Sequence, residues 1–223
     1  MLIKVNNIII NYDVYGQGLP IILLHGNGET YEIFDKLIEK LKTNYTVYAI
    51  DSRCHGKSEN TKEISYNLMA DDTIAFIKEL KIEKPILYGF SDGGIIGLLI
   101  AIKEPNILSN LIVSGANITP DATTTLDIIL TKLYYFFTRN KLIKMMLDEP
   151  NISIDDLQKI NIPVHVLAGE KDIIKLEHTE LIYNNIKNST LEIIKGESHG
   201  SYIIHNDKIY EIIKKYLEDY YVQ

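Results

Sequence analysis

The sequence predicts an α/β fold, a mostly parallel central sheet with helices on both faces, and two features of the chain carry that reading. From Leu19 onward, short apolar runs of strand length alternate with segments whose apolar residues recur at helical spacing. Before Leu19 the chain reads as a hairpin, because Leu2–Val5 and Ile8–Tyr15 flank Asn6 and Asn7, and Asn tolerates the positive φ of a two-residue turn. The hairpin supplies an antiparallel edge. The alternation after it implies parallel strands joined by crossover helices.

The elements follow in order. Pro20-Ile21-Ile22-Leu23-Leu24 reads as the first buried parallel strand. Phe34, Leu37, Ile38 and Leu41 form one apolar stripe of a sheet-covering helix, and Ala70, Ile74 and Ile77 form another. Pro85-Ile86-Leu87-Tyr88 is the next strand, with a helix over about 94–101 behind it, and Leu111-Ile112-Val113-Ser114 is the strand after that. Between Gly115 and Pro163 the alternation breaks: residues 123–147 read as one or two helices with no strand between them. The chain returns through Ser153, which can cap a short helix with Asp156 three residues on. Val164-His165-Val166-Leu167-Ala168 and Leu191-Glu192-Ile193-Ile194 read as further buried parallel strands. Ile209, Ile212, Ile213, Tyr216 and Leu217 then mark a last helix, capped from Asn206-Asp207.

Composition narrows the function classes. With 223 residues, 46% of them hydrophobic and 24% charged, the chain can bury one sizeable core, so 1–223 reads as a single domain. The net charge of −7 argues against a nucleic-acid partner, which calls for clustered Lys and Arg. One cysteine, Cys54, excludes an intrachain disulfide, and the segment from Met1 to Asn7 lacks the apolar core of a signal peptide. A cytoplasmic protein is the expectation. No apolar stretch approaches the ~20 residues of a membrane span, so no membrane partner is expected. Neither a His-x-x-x-His or paired-cysteine spacing nor a Gly-rich phosphate loop after the first strand occurs, and no metal or other cofactor is implied.

Gly89-Phe90-Ser91-Asp92-Gly93 leads from a strand straight into a helix, so Ser91 sits at a sharp turn that exposes its hydroxyl, the arrangement of a nucleophile elbow. The flanking glycines let strand and helix approach without a Cβ clash. Two later strands end in Gly169-Glu170-Lys171-Asp172 and Gly196-Glu197-Ser198-His199-Gly200, and the first parallel strand ends in His25-Gly26-Asn27-Gly28. These four motifs, in this order, resemble the α/β-hydrolase family over nearly the whole chain.

The resemblance implies an α/β-hydrolase fold with Ser91 as nucleophile, His199 as base and Asp172 as the carboxylate that orients the imidazole. It also implies an oxyanion hole built from the backbone N–H groups of Asn27 and Asp92, and a small helical lid inserted over about 118–160. Glu170 is the nearest rival to Asp172. Asp148 and Glu149 fall outside the strand order, in the lid. His25 is expected to hold the oxyanion loop, His55 lies in what resembles a structural turn, and His205 falls within or beside the last helix. Cys54 lies outside the elbow and reads as a structural thiol.

The run from Gly89 to Ile95, with Ser114-Gly115-Ala116-Asn117, is similar to a subgroup that includes amino-acid ester (valacyclovir-type) hydrolases. Asp92 then either attracts a substrate ammonium or only hydrogen-bonds nearby backbone. In the lid, Leu133, Tyr134, Tyr135, Phe136 and Phe137, with Leu142, Met145 and Met146, are expected to pack onto the sheet or, in part, to line an acyl pocket. The expected activity is cofactor-independent hydrolysis of a small carboxylic ester, or a related thioester or amide, through an acyl-enzyme. Acyl transfer or carbon–carbon hydrolysis on the same three residues, and a non-catalytic ligand-binding module, are the alternatives. A serine at the elbow speaks against dehalogenase and epoxide-hydrolase chemistry, which this family performs with a carboxylate nucleophile.

Overall fold

The computed structural model describes residues 1–218. Its strands are β1 (Leu2–Val5), β2 (Ile8–Tyr15), β3 (Leu19–Leu24), β4 (Tyr45–Ile50), β5 (Ile86–Phe90), β6 (Asn110–Ser114), β7 (Val164–Lys171) and β8 (Ser189–Ser198). They form one sheet in the order β1-β2-β4-β3-β5-β6-β7-β8. β2 runs antiparallel to both of its neighbours, and every other pairing is parallel. The hairpin turns on Asn6 (φ 47°) and Asn7 (φ 64°), as the residue types require.

Helices cover both faces. α1 (Asp35–Leu41), entered through a 3-10 turn at Tyr31–Phe34, and α8 (Lys208–Glu218) lie on one; α2 (Tyr66–Glu79), α3 (Asp92–Lys103) and α7 (Leu176–Asn185) lie on the other. The period of two along β3 divides its side chains between the two cores. Ile21 and Leu23 pack with Leu37, Leu41, Ile209 and Ile213. Ile22 and Leu24 join the cluster that holds Ala70, Ile77, Ile95 and Ile182. Side chains fasten the helix starts: Ser65 accepts from Leu68 N–H at 3.1 Å and Asn206 from Lys208 N–H at 2.9 Å.

Between β6 and β7 the chain forms α4 (Thr125–Thr138), α5 (Lys141–Asp148) and the short α6 (Ile154–Leu157), the last closed by a reciprocal capping box between Ser153 and Asp156. Among the described residues no helix is long and apolar enough to cross a membrane.

Two sequence expectations need correction, and α7 is a helix that the sequence pattern does not announce. The run at 191–194 belongs to an edge strand rather than a buried one: within β8 only Ile194 is buried, because a terminal strand has a neighbour on one side alone. α7 leaves no apolar stripe to find, since His178 and Thr179 share its buried face with Ile182. The aromatics of α4 do not pack onto the sheet. None of its fourteen residues is buried, and Leu133, Tyr134, Phe136 and Phe137 face solvent, whereas Met145 of α5 is buried.

Candidate active site

The carboxyl ends of β3, β5, β7 and β8 bring the four motifs to one edge of the sheet, as parallel strands in register must. Ser91 follows β5 with φ 53° and ψ −115°, a conformation that costs an L-residue on the order of 1–3 kcal/mol. Its backbone is pinned on both sides: Ser91 N–H donates to Ser114 O at 2.8 Å, and its carbonyl accepts from Gly94 and Ile95 at 2.9 and 3.1 Å. The turn tolerates no side chain at its flanks. A Cβ on Gly89 would lie 2.2 Å from the Gly93 carbonyl oxygen, and one on Gly93 would lie 2.1 Å from that of Leu24.

His199 Nδ1 lies 2.6 Å from Asp172 Oδ1. A carboxylate only accepts, so the ring proton resides on Nδ1, and Nε2 is left to accept from the Ser91 hydroxyl at 3.1 Å. The Asp172 side chain is 3% exposed, and its Oδ1 accepts a second bond, from Ile174 N–H at 2.9 Å. The imidazole rests against Phe90, ring centres 5.0 Å apart, and against Gly115. In the sequence Gly115 is one residue of the Ser114–Asn117 run, and in the structure its role is spatial. At φ 63° it presents a bare Cα, where a Cβ would stand 2.7 Å from His199 Cε1 and 2.8 Å from Nδ1.

The rival residues are occupied elsewhere. Glu170 accepts from Gly196 N–H at 2.8 Å, bracing the strand that leads to His199. Asp148 pairs with Lys144, and Glu149 accepts from Tyr66 N–H at 2.9 Å. His205 lies 3.1 Å from Asp35 on the surface. His55 bonds the Arg53 carbonyl at 3.0 Å. His25 is fully enclosed: Nδ1 donates to Gly26 O at 2.7 Å and Nε2 accepts from Ser52 N–H at 3.0 Å, so it ties the loop after β3 to the loop after β4. Burial, together with the nearby His55, pushes its pKa down to about 4, and it is neutral near pH 7.

Asp92 opens α3, so its N–H has no intrahelical acceptor and stands at the positive end of the helix dipole. Its carboxylate, 4% exposed, takes a bond on each oxygen, from Tyr66 Oη–H at 2.8 Å and from Asn27 Nδ2–H at 2.9 Å. Burial raises the Asp92 pKa, and those two donors pull against that rise. Neither donor is backbone, so the sequence-based alternative of backbone contacts is corrected: the partners are side chains. Tyr66 had no signal in the sequence, since nothing in a helix start at residue 66 points to a turn at residue 92. The Asn27 loop is further held by Gly26 N–H donating to Glu29 Oε2 at 3.0 Å.

A cavity of about 330 Å³ opens on Ser91 and His199, walled by Tyr66, Ile128, Leu130, Met146 and Ile174 among others. Its lining mixes these apolar side chains with polar and acidic ones, among them Asp92, Asn117, Asp127 and Glu149, beside Ser91 and His199.

Residues 20–144 match the family described as alpha/beta hydrolase fold. Among curated proteins, the chain is 26% identical to the human serine hydrolase BPHL, an alignment covering 97% of this chain and 85% of that protein. It is 29% identical to the sn-1-specific diacylglycerol lipase ABHD11 of Danio rerio, over 68% of this chain and only 49% of the relative's length. Among solved structures, an esterase from Exiguobacterium antarcticum superposes with a TM-score of 0.84 at 23% identity, covering 96% of this chain and 97% of that one. The meta-cleavage product hydrolase of Pseudomonas fluorescens gives a TM-score of 0.83 at 19% identity, over 98% and 97%.

Proposed function

Since this chain belongs to the alpha/beta hydrolase fold family, we propose that it cleaves a small carboxylic ester through an acyl-enzyme formed on Ser91. The observation that carries this reading is the unbroken hydrogen-bond chain from Asp172 through His199 to Ser91, with links of 2.6 and 3.1 Å. Relatives and neighbours named as a serine hydrolase, a lipase and an esterase support the ester chemistry.

In acylation, Ser91 Oγ attacks the ester carbonyl carbon while its proton passes to His199 Nε2. The imidazolium that forms is held by the Asp172 carboxylate. The N–H groups of Asp92 and Asn27 receive the charge that develops on the carbonyl oxygen, and loss of one such donor typically costs ~10²–10³ in rate. The C–O bond to the alcohol then breaks, and His199 returns the proton to the departing oxygen. Water follows the same path: its proton goes to Nε2, its oxygen bonds the acyl carbon, the bond to Oγ breaks, and Ser91 regains its proton.

The segment from α4 to α6 serves as a lid whose inner residues Ile128 and Met146 receive the acyl group. Both Asp92 oxygens already have donors, which favours a structural duty for this carboxylate, the setting of Asn27 and Tyr66, over capture of a substrate ammonium.

p-Nitrophenyl esters of graded acyl length, assayed with wild type and Ser91→Ala, test the proposal. The alanine variant is expected to lose at least ~10³-fold in kcat/KM and to lose labelling by a fluorophosphonate. Full activity in the alanine variant overturns the mechanism, and a folded wild type that neither turns over esters nor takes the label supports a binding role instead.

A further inference from the structure

We propose that the outward face of α4 is the seam of a two-fold dimer, in which the helix packs antiparallel against α4 of a second copy of this chain. A surface helix ordinarily turns its apolar stripe toward the core. α4 does the reverse. Its half-buried side carries Ile128, Thr131 and Tyr135, and Leu126, Ile129, Leu130, Leu133, Phe136 and Phe137 form an unbroken stripe in solvent, each more than half exposed. Their spacing of three, one, three, three and one is that of a helix packed against another helix.

The stripe is self-complementary. Two-fold pairing about its middle sets Leu133 against Leu133 of the partner subunit, since an antiparallel two-fold brings a central residue onto its own copy. One flank then brings Leu130 onto Phe137 of the partner subunit, and the other brings Ile129 onto Phe136 of the partner subunit, so aromatic rings meet branched aliphatic side chains on both sides. Six side chains of this size leave on the order of 600 Å² bare on one copy, or about 1,200 Å² across two, which reaches the range of specific interfaces. A patch of that size stands at the upper end of the roughly 300–600 Å² that the largest apolar patch of a monomer reaches, and such patches are often functional.

A second copy fits this face better than a lipid surface. The chain carries a net charge of −7, which anionic headgroups repel. Of the cations on and beside α4, Lys141 bonds Asn60 and the Thr61 carbonyl, Lys144 pairs with Asp148, and Arg139 lies over the Tyr135 and Phe136 rings, while Lys132 is exposed. Leu130 belongs to both the stripe and the cavity wall, so pairing would back that wall with Phe137 of the partner subunit.

Sedimentation equilibrium of the full chain at 1–100 µM is expected to give twice the 25.5 kDa chain mass, and Leu133→Glu is expected to sediment at the chain mass with an unchanged far-UV circular dichroism spectrum and a melting temperature that no longer rises with concentration. Oxidation of Leu133→Cys is expected to yield a disulfide-linked dimer, whereas Leu126→Cys, on the same stripe but about 20 Å from its own copy in this pairing, is not. A monomer throughout the concentration range overturns the proposal, as does a dimer that survives Leu133→Glu or cross-links equally at both cysteines. A monomer that co-sediments with phosphatidylcholine–phosphatidylglycerol vesicles overturns it in favour of a lipid surface.

Discussion

Gly115→Ala isolates the contact that seats the imidazole. The new Cβ would stand 2.7 Å from His199 Cε1 and 2.8 Å from Nδ1, so the ring must retreat by roughly 0.7 Å to reach ordinary van der Waals distance. The hydrogen bonds at 2.6 and 3.1 Å run through that same ring and cannot both survive the move. Displacements near 1 Å at a reacting centre cost about 10²-fold in rate, so kcat/KM toward a p-nitrophenyl ester should fall by about that factor. The backbone contributes separately. At φ 63° alanine pays ~1–2 kcal/mol that glycine does not, a drop of roughly 2–8 °C in melting temperature for a domain of this size. Steady-state kinetics with calorimetry on the same preparation separates the two effects. A folded variant whose kcat/KM stays within about threefold of wild type would refute the seating of His199 against Gly115, and with it the argument for His199 as base.

Two predictions concern stability. Arg53 and Asp72 form a buried two-pronged pair at 2.6 and 2.8 Å, and the carboxylate's other donor is Asn6 at 3.1 Å. Arg53→Met strands the anion and should cost ~3–5 kcal/mol in urea unfolding, while Arg53→Met with Asp72→Leu should recover most of the loss; a double variant no better than the single one would contradict the stranded-charge argument. His25, at about 4 in the folded state against 6.5 for the free side chain, binds its proton more readily when unfolded. Stability is therefore complete above pH 6.5 and declines toward pH 4, with a contribution from this residue of about 2 kcal/mol between pH 7.5 and pH 5. His25→Gln should flatten the slope of urea stability against pH over that interval, and an unchanged slope would refute the assignment.

What the sequence disclosed about the site follows from how a parallel sheet is built. Ser91, Asp172 and His199 each sit just past an apolar run, and runs of one direction must end at one edge, so order along the chain became proximity in space. The side-chain contacts made around those residues follow from no such rule, even where Gly115 and Asn27 themselves lie past the ends of β6 and β3. Gly115 matters because of where an imidazole from residue 199 comes to rest. Tyr66 matters because its hydroxyl reaches the carboxylate of residue 92, and the Asn27 side chain because it meets the other oxygen of that group. These are relations between elements far apart in the chain, and local spacing carries no trace of them.

The helices between β6 and β7 expose a different gap. Apolar periodicity establishes that a helix has a sticky side, but it is silent on which way that side points, because burial against the chain's own sheet and burial against something else produce the same stripe. Leu133 and Phe136 therefore read as packing residues, although the structure leaves both in solvent. Solvation free energy does not vanish with that reversal: about 25 cal/mol per Å² of bare apolar surface remains available to whatever covers it. For a face of ~600 Å² the sum is about 15 kcal/mol if all of it is covered, the upper end of the margin that holds a domain folded. An uncovered stripe of that worth ties the occupancy of α4 to the shape of the cavity wall through Leu130, which lies in both.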